Sequence, residues 1–493
     1  MAVCGRRLSK CSFLRAFDAR HLCSSSAVRT AKQNKEANEP LYEDAFSRLI
    51  PHSEHRERQR RLVSLVEKRF GHNKPNLLLI PSAQQSFQAD TKIPSIYYKQ
   101  CADFIYFTGL NTKDAVNCIL AILAGNGETR SLLFAPSVDE YQSFWEGPGL
   151  TAESELSFCD EVVDLKKFDD FLLSNAKRQV FVSKNGLYTR KNGFGGKCEN
   201  GRIFQENGEQ LTLHHHLSSF IDELRLIKSS NELKAMRRCC RIGANALRET
   251  MLWTQNRHEL NSEQFNISLI NENQIAAKFD YECRVNGAKK VSYPSVCASG
   301  DRSTVIHYGN NNRFADPSEW ILMDAGCEDI EGYVSDITRS WQLDGRKDQS
   351  RLEFALYQAL CEVHKEIIVS IEESNSTLDS LFEIMCHFLA KVLIEFGICG
   401  KFTSEVEAFR MAYRYCPHHV SHYIGLDVHD TPTISRNILL KPGMCFTVEP
   451  GLYFRKNDDV RPEFRGIGLR VEDDICINEN GKVENLTESA PYL

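Results

Sequence analysis

The feature that most constrains this 493-residue chain is a set of five segments in its C-terminal half, each carrying one metal-ligand candidate. They are Asp324 in MDAGCE, Asp336 in YVSDITRSW, His422 in PHHVSHYIGLDVHD, Glu449 in FTVEPGLY and Glu472 in IGLRVEDD. Four carboxylates and one imidazole suit hard or borderline divalent cations such as manganese, magnesium or zinc, in preference to soft-metal chemistry. A two-metal site acidifies a bridging water and polarises a carbonyl, so the array points to hydrolysis.

Local patterns say how such donors meet. Trp320 to Met323 is an apolar run ending at Asp324, which puts that carboxylate at a strand end. Tyr333 to Trp341 alternates, so Asp336, Thr338 and Ser340 share one face of a strand. Gly326 and Gly332 between them allow a hairpin, and two carboxylates on adjacent antiparallel strands can share a metal pair. Glu449 follows the apolar strand Met444 to Val448, and alternation along Gly468 to Glu472 puts Arg470 beside Glu472. His418, His419, His422 and His429 crowd into twelve positions, which is unusual for a soluble surface. Any one of them alone reads as a satisfied core or surface histidine; clustered beside these acids, they read as functional.

A chain of this length favours two domains. With a net charge of −6 it lacks the basic balance of a nucleic-acid binder, and no apolar run reaches the length of a membrane span. The 18 cysteines show no zinc-finger spacing and lie mostly among apolar residues, as reduced, buried thiols do. Residues 1–35 hold eight Lys or Arg and one acid, Asp18, with Leu8, Phe13, Leu14 and Phe17 available for one helical face. That is the composition of a mitochondrial transit peptide, so residues 1–40 are expected to be a leader and linker, with a matrix destination; a cytoplasmic location is the alternative.

From residue 41 to 212 the pattern alternates α and β. A helix is expected over Arg56 to Phe70. Strands are expected at Asn76 to Ile80, Phe104 to Phe107, Cys118 to Ala124 and Ser131 to Phe134, and a short helix over Asp139 to Phe144. The joint is expected near residues 212–222, with His214, His215 and His216 in a solvated linker. The C-terminal domain, 222–493, opens with a helix started by Ser229 or Ser230 and Glu232, whose stripe Leu233, Met236, Cys240, Ala244, Leu247 faces a core. A second long helix is expected from Arg351 to Glu372.

Taken together, the five C-terminal segments resemble the pita-bread metallopeptidases, and among them aminopeptidase P (Xaa-Pro aminopeptidase). The run from Tyr415 through His418 and Asp430 to Pro432 is most similar to the mitochondrial Xaa-Pro aminopeptidase 3 subgroup. More loosely, Tyr97-Tyr98-Lys99-Gln100, Asp103 to Gly109 and Trp145-Glu146-Gly147 resemble the family's N-terminal domain. The resemblance implies an α/β (α+β) chain: a creatinase-like N-terminal domain and a pita-bread catalytic domain.

It also implies roles. Asp324 would chelate one metal, Asp336 and Glu472 would bridge both, and His422 and Glu449 would complete the second metal's shell. His307, seventeen positions before Asp324, would contact the scissile amide together with His429. His418 would line the proline pocket, Arg470 would support the same region, and Glu449 would accept a proton from the water. Two divalent ions are implied, manganese first, with zinc or cobalt as alternatives, along with peptide substrates bearing Xaa-Pro N-termini and a homodimer. An imide bond to proline has no N–H and a fixed φ, so a rigid pocket suits it where strand-like substrate pairing does not. A prolidase restricted to dipeptides shares the ligands, and a catalytically inactive binding protein on this fold is a third reading. Methionine aminopeptidases lack the large N-terminal domain. In one respect the chain departs from the family: Asp324 and Asp336 stand twelve positions apart, one more than usual. The extra residue falls within Glu328 to Glu331, where a longer turn absorbs it; a slip inside a strand would turn Asp336 off the metal face.

Overall fold

The computed structural model describes residues 47–492 except 72–74, 89–97, 126, 152–155, 184–196, 200–201, 205–209, 215–216, 261–269, 344–350, 374 and 403. The basic leader, Tyr97, His215 and His216 therefore lie outside the described residues. Ala45–Leu493 forms one compact unit.

Its N-terminal half is built on a mixed sheet. Helix α1 (His52–Phe70) leads into β1 (Asn76–Pro81), α2 (Ala102–Thr108), β2 (Ile119–Gly125), β3 (Glu128–Ala135), α3 (Glu140–Glu146), β4 (Glu161–Asp164), α4 (Phe168–Ser174), β5 (Gln179–Val182), β6 (Lys197–Glu199), β7 (Arg202–Phe204) and β8 (Gln210–His214). The strand order is β4-β3-β2-β1-β5-β8-β7-β6. β1 and β2 bury nearly every residue because helices cover both faces, which is why they read as continuous apolar runs rather than alternations.

One expectation fails here. Phe104 to Phe107 is helical, not a strand: all seven residues of α2 are buried, so no amphipathic period shows, and a short apolar run does not distinguish the two states. The helix stops at Gly109, whose φ of 69° is the left-handed conformation glycine adopts freely. The linker expected at His214 to His216 falls at the edge of the described residues, with His215 and His216 outside them. His214 ends β8, and α5 (Leu217–Leu226) begins within three residues, burying Leu217, Ile221 and Leu224 on one face.

The C-terminal half begins with α6 (Ser230–Leu260), whose start is a reciprocal cap: Ser229 Oγ accepts from Glu232 N–H at 3.2 Å and Glu232 Oε2 accepts from Ser229 N–H at 2.9 Å. Leu233, Met236, Cys240, Ala244 and Leu247 are all buried, as their spacing predicts. Then come β9 (Ile270–Asn271), α7 (Glu272–Val285), β10 (Lys290–Val291), β11 (Val296–Ser299), β12 (Phe314–Ala315), β13 (Trp320–Ala325), β14 (Cys327–Glu328), β15 (Ile337–Gln342), α8 (Leu352–Glu373), α9 (Leu378–Glu395) and α10 (Glu405–Tyr415). β16 (Cys445–Val448), β17 (Gly451–Phe454), β18 (Ile467–Arg470), β19 (Asp473–Ile477) and β20 (Val483–Asn485) follow. β11, β13 and β15 make one antiparallel sheet and β16, β19 and β20 another, and a Thr338–Glu472 bridge joins β15 to the segment between β18 and β19. Residues of α6 and α7 pack against one side of β13 and β15, and residues of α8 and α9 against the other strands. This is the pita-bread arrangement of curved antiparallel sheets held between helices.

The 14 described cysteines are free thiols, twelve of them buried. Among the described residues no helix is long and apolar enough to cross a membrane.

Arg225, on α5, ties the two halves together. It donates to Asp103 of α2 at 2.7 Å, to Asp427 at 3.1 Å and to Asp430, while Lys228 reaches Asp430 at 3.2 Å. Removing one partner of a buried ion cluster leaves the others as uncompensated buried charge. Arg225→Met should therefore lower unfolding free energy by about 3–5 kcal/mol in a denaturant titration, against less than about 1 kcal/mol for the exposed pair partner Arg130→Met.

Candidate metal centre and its surroundings

Asp324 sits on β13, paired opposite Thr338 of β15. Asp336 lies just ahead of β15, after the turn that joins the two strands. Gly326 makes this hairpin possible, because a Cβ there would meet the Ser335 carbonyl oxygen at 1.8 Å. Gly332 supplies the turn with a φ of 94°. Asp329 N–H donates to the Tyr333 carbonyl at 2.9 Å, and Asp329 Oδ1 accepts from Glu331 and Tyr333 N–H at 2.9 and 3.0 Å. The twelve-position spacing of the two aspartates is thus closed by a side-chain-braced turn, with β13 and β15 in register.

Ligand atoms of Asp336, His422 and Glu472 all lie within 4.8 Å of one another. His422 Nε2 is 3.5 Å from Asp336 Oδ2 and 3.8 Å from Glu449 Oε1. Its other nitrogen faces the Tyr423 carbonyl at 3.2 Å, so Nδ1 carries the hydrogen and the Nε2 lone pair points into the site. Asp324 joins the group from the side: the Tyr293 hydroxyl is 2.6 Å from Asp324 Oδ1 and also bonds Asp336 Oδ1. Arg470 Nη2 donates to Asp324 Oδ2. The second carboxylate layer is Asp474, whose Oδ2 accepts from Asp336 N–H at 2.9 Å and from the Cys240 thiol at 3.2 Å.

The electrostatics fit a cation. Burial pushes up the carboxyls of Asp324, Glu472 and Glu449, the last to about 7, and the neighbouring carboxylates of the cluster push the same way, against the pull of Arg470. Burial alone would lower His422, but Asp336 and Glu449 lift it to about 9. Hard oxygen donors crowded in a buried site, with one correctly presented imidazole nitrogen, suit a divalent metal.

A second layer of contacts fixes the groups around this centre. Arg470 Nε donates to Thr338 Oγ1 at 3.0 Å, and that hydroxyl donates to Glu472 Oε2 at 2.6 Å. Arg470 Nη1 donates to the Tyr453 hydroxyl at 2.7 Å, which in turn lies 2.9 Å from His418 Nε2. His418 Nδ1 faces the His419 carbonyl at 3.0 Å, so Nε2 is the acceptor for Tyr453. Burial, with the charge of Arg470, lowers His418 to about 4, and the ring is neutral near pH 7. His429 stacks edge-on to His422 with ring centroids 4.5 Å apart. His307 is exposed.

Asp336, His422 and Glu472 are thus brought into one tight group, with Glu449 and Asp324 at its edge, Arg470 and His418 linked to it, and His429 packed on His422. Sequence reasoning missed Tyr293, Tyr453 and Asp474. Tyr453 had a signal, since it lies two residues beyond Gly451 on a strand that starts at the Glu449 motif; Tyr293 sits in an irregular Ser-Tyr-Pro-Ser stretch with none.

Comparison with known proteins agrees with this geometry. Residues 234–479 match the family described as metallopeptidase family M24, and residues 55–181 match the aminopeptidase P N-terminal domain. Xaa-Pro aminopeptidase 3 of Mus musculus is 31% identical over 439 residues, 86% of this chain and 81% of the relative. Intermediate cleaving peptidase 55, mitochondrial, of Arabidopsis thaliana is 30% identical, covering 96% of this chain and 88% of the relative. The solved structure of Escherichia coli aminopeptidase P with the inhibitor Pro-Leu superposes with a TM-score of 0.74 at 27% identity, over 90% of this chain and 96% of the other.

Metal must displace the protons held by Glu449 and His422, whose metal-free values are about 7 and about 9. Affinity for Mn2+ should accordingly rise with pH between 6 and 9. Isothermal titration in two buffers of different ionisation enthalpy should show net proton release on binding, and a pH-independent affinity would contradict this donor set.

Proposed function

The chain belongs to metallopeptidase family M24, in its aminopeptidase P branch, and from that premise we propose that it removes the N-terminal residue from peptides whose second residue is proline. It is a hydrolase and a metal-dependent one. The observation that carries the reading is the convergence of Asp336, His422 and Glu472 on one point, with Asp324 and Glu449 beside them and a neutral His418 braced by Tyr453 and Arg470.

We assign Asp324, Asp336, His422, Glu449 and Glu472 to two divalent ions, manganese by preference. When bound, such a pair supplies an acidified water and a Lewis acid for the scissile carbonyl. The chain's own groups do the rest. Glu449 takes a proton from the attacking water and delivers it to the proline nitrogen as the bond breaks. His307 and His429 hold the carbonyl oxygen as charge develops on it. His418 contributes an uncharged wall for the proline ring, and its tautomer is fixed on both nitrogens. Arg470 sets Asp324, Thr338 and Tyr453 at once, so it positions both the donors and His418.

The full donor set and the M24 family argue against an inactive binding protein, and the similarity to aminopeptidases P argues against a prolidase. Mitochondrial placement is supported by the basic, Ser- and Arg-rich first 35 residues and by the plant relative's name. The plant and yeast intermediate cleaving peptidases favour partly processed proteins as a substrate pool. Self-association as a homodimer is supported by Tyr141, Phe144 and Trp145, all largely exposed on the short helix α3.

Metal-stripped protein reloaded with Mn2+ should release the first residue from Xaa-Pro-Xaa tripeptides and longer peptides, and Asp336→Ala should lose at least about 100-fold in kcat. Activity confined to dipeptides would point to a prolidase, and equal rates on peptides lacking proline would point to the processing reading. Tyr453→Phe, which removes the hydroxyl's bonds to both Arg470 and His418, should cut kcat/KM on Xaa-Pro substrates by roughly tenfold or more, while metal content stays unchanged.

A further inference from the structure

The turn between the two aspartates is not free. Glu331, in the stretch that carries the extra residue, reaches out of the hairpin to the first described segment of the chain. Its Oε1 accepts from Ile50 N–H at 2.9 Å and from Leu49 N–H at 3.2 Å, immediately ahead of helix α1. Arg238, on α6, closes the knot. Nη1 donates to the Ser47 carbonyl at 2.7 Å, and Nη2 donates to Asp329 Oδ2 at 2.6 Å and Glu331 Oε2 at 3.0 Å. Arg238, Asp329 and Ile50 are buried, so these bonds form away from solvent, where each counts for more. The carboxylate of Glu331 also lies near the start of α1, where the helix favours negative charge.

The mechanical consequence falls on one ligand more than the other. Asp324 is held within β13 by pairing on both sides, to β11 and β15. Asp336 precedes β15, four residues beyond Gly332, so the turn sets where its carboxylate arrives. We propose that Glu331 is a positioning residue: through Leu49 and Ile50 it uses the chain's own N-terminal segment, residues 47–50, to hold the turn that presents Asp336 to the metal. The longer spacing between the aspartates is then the attachment point for this strap. A leader removed anywhere ahead of Ser47 leaves the strap whole; trimming beyond it cuts the knot.

The inference rests on Asp336 being a metal ligand, and the test separates the two. Mn2+ alone is titrated calorimetrically into the full chain, chains beginning at Ser47 and at Pro51, full-length Glu331→Ala, and full-length Asp336→Ala, with circular dichroism to verify folding. The full chain and the Ser47 chain should bind alike. Glu331→Ala and the Pro51 chain should bind about tenfold or more weakly, as for outer residues that orient a ligand. Combining them should add nothing, because both cut the same link. Wild-type affinity in folded Glu331→Ala overturns the proposal even if the Pro51 chain fails to fold. Weakened binding already at the Ser47 chain overturns the boundary. Unchanged binding in Asp336→Ala would instead remove the ligand assignment beneath it.

Discussion

Everything in the C-terminal half is arranged around one electrostatic difficulty: several carboxylates share a buried site. Buried acids repel one another and resist ionisation, and here Asp324, Glu449, Glu472 and Asp474 are all pushed toward their protonated forms. The fold meets this with few permanent charges. Among the described residues Arg470 is the guanidinium bonded to a ligand carboxylate, and hydroxyls from Tyr293 and Thr338 and the backbone N–H of Asp336 add further bonds. A site left this short of positive charge is one whose charge balance is completed by a cation, which links metal affinity, pH and local order into a single equilibrium.

The second constraint is that donors come from segments far apart in sequence, so the strands bearing them must be braced independently of metal. Arg339 shows how: it is wholly buried, pairs with Asp473 at 2.7 Å and donates to the carbonyls of Thr338 and Glu472 at 3.0 and 2.7 Å, locking β15 to the Glu472 segment. Arg225 plays the equivalent part between halves, gripping Asp427 and Asp430 on either side of His429. The N-terminal half is therefore more than a cover, because the loop holding His422 and His429 is anchored through Arg225 to Asp103 of its helix α2.

Much of this was legible beforehand. The α6 stripe and the β13–β15 hairpin followed from periodicity, since one apolar face against a core imposes its spacing on the sequence. The helix α2 was not legible, because a segment buried on every side has no polar face to mark its period. α5 was hidden differently. Its Leu217, Ile221 and Leu224 spacing is helical but too short a stripe to stand out in the sequence, and its packing against α1 is what fixes it. Tyr293 carried no signal at all, as its role exists only where two strands bring Asp324 and Asp336 beneath its hydroxyl.

By itself the sequence determined the donor types, their strand-end and loop settings and hence the chemistry open to the chain, because metal preference and strand periodicity are properties of residue type and spacing. Tertiary structure alone decided which donors meet, which nitrogen of His422 faces them, which tautomer His418 keeps and how the longer turn is tolerated. Those outcomes depend on distances of a few ångströms between segments remote in sequence, and on partners such as the Tyr423 carbonyl and the backbone of residues 49 and 50 that no residue pattern announces.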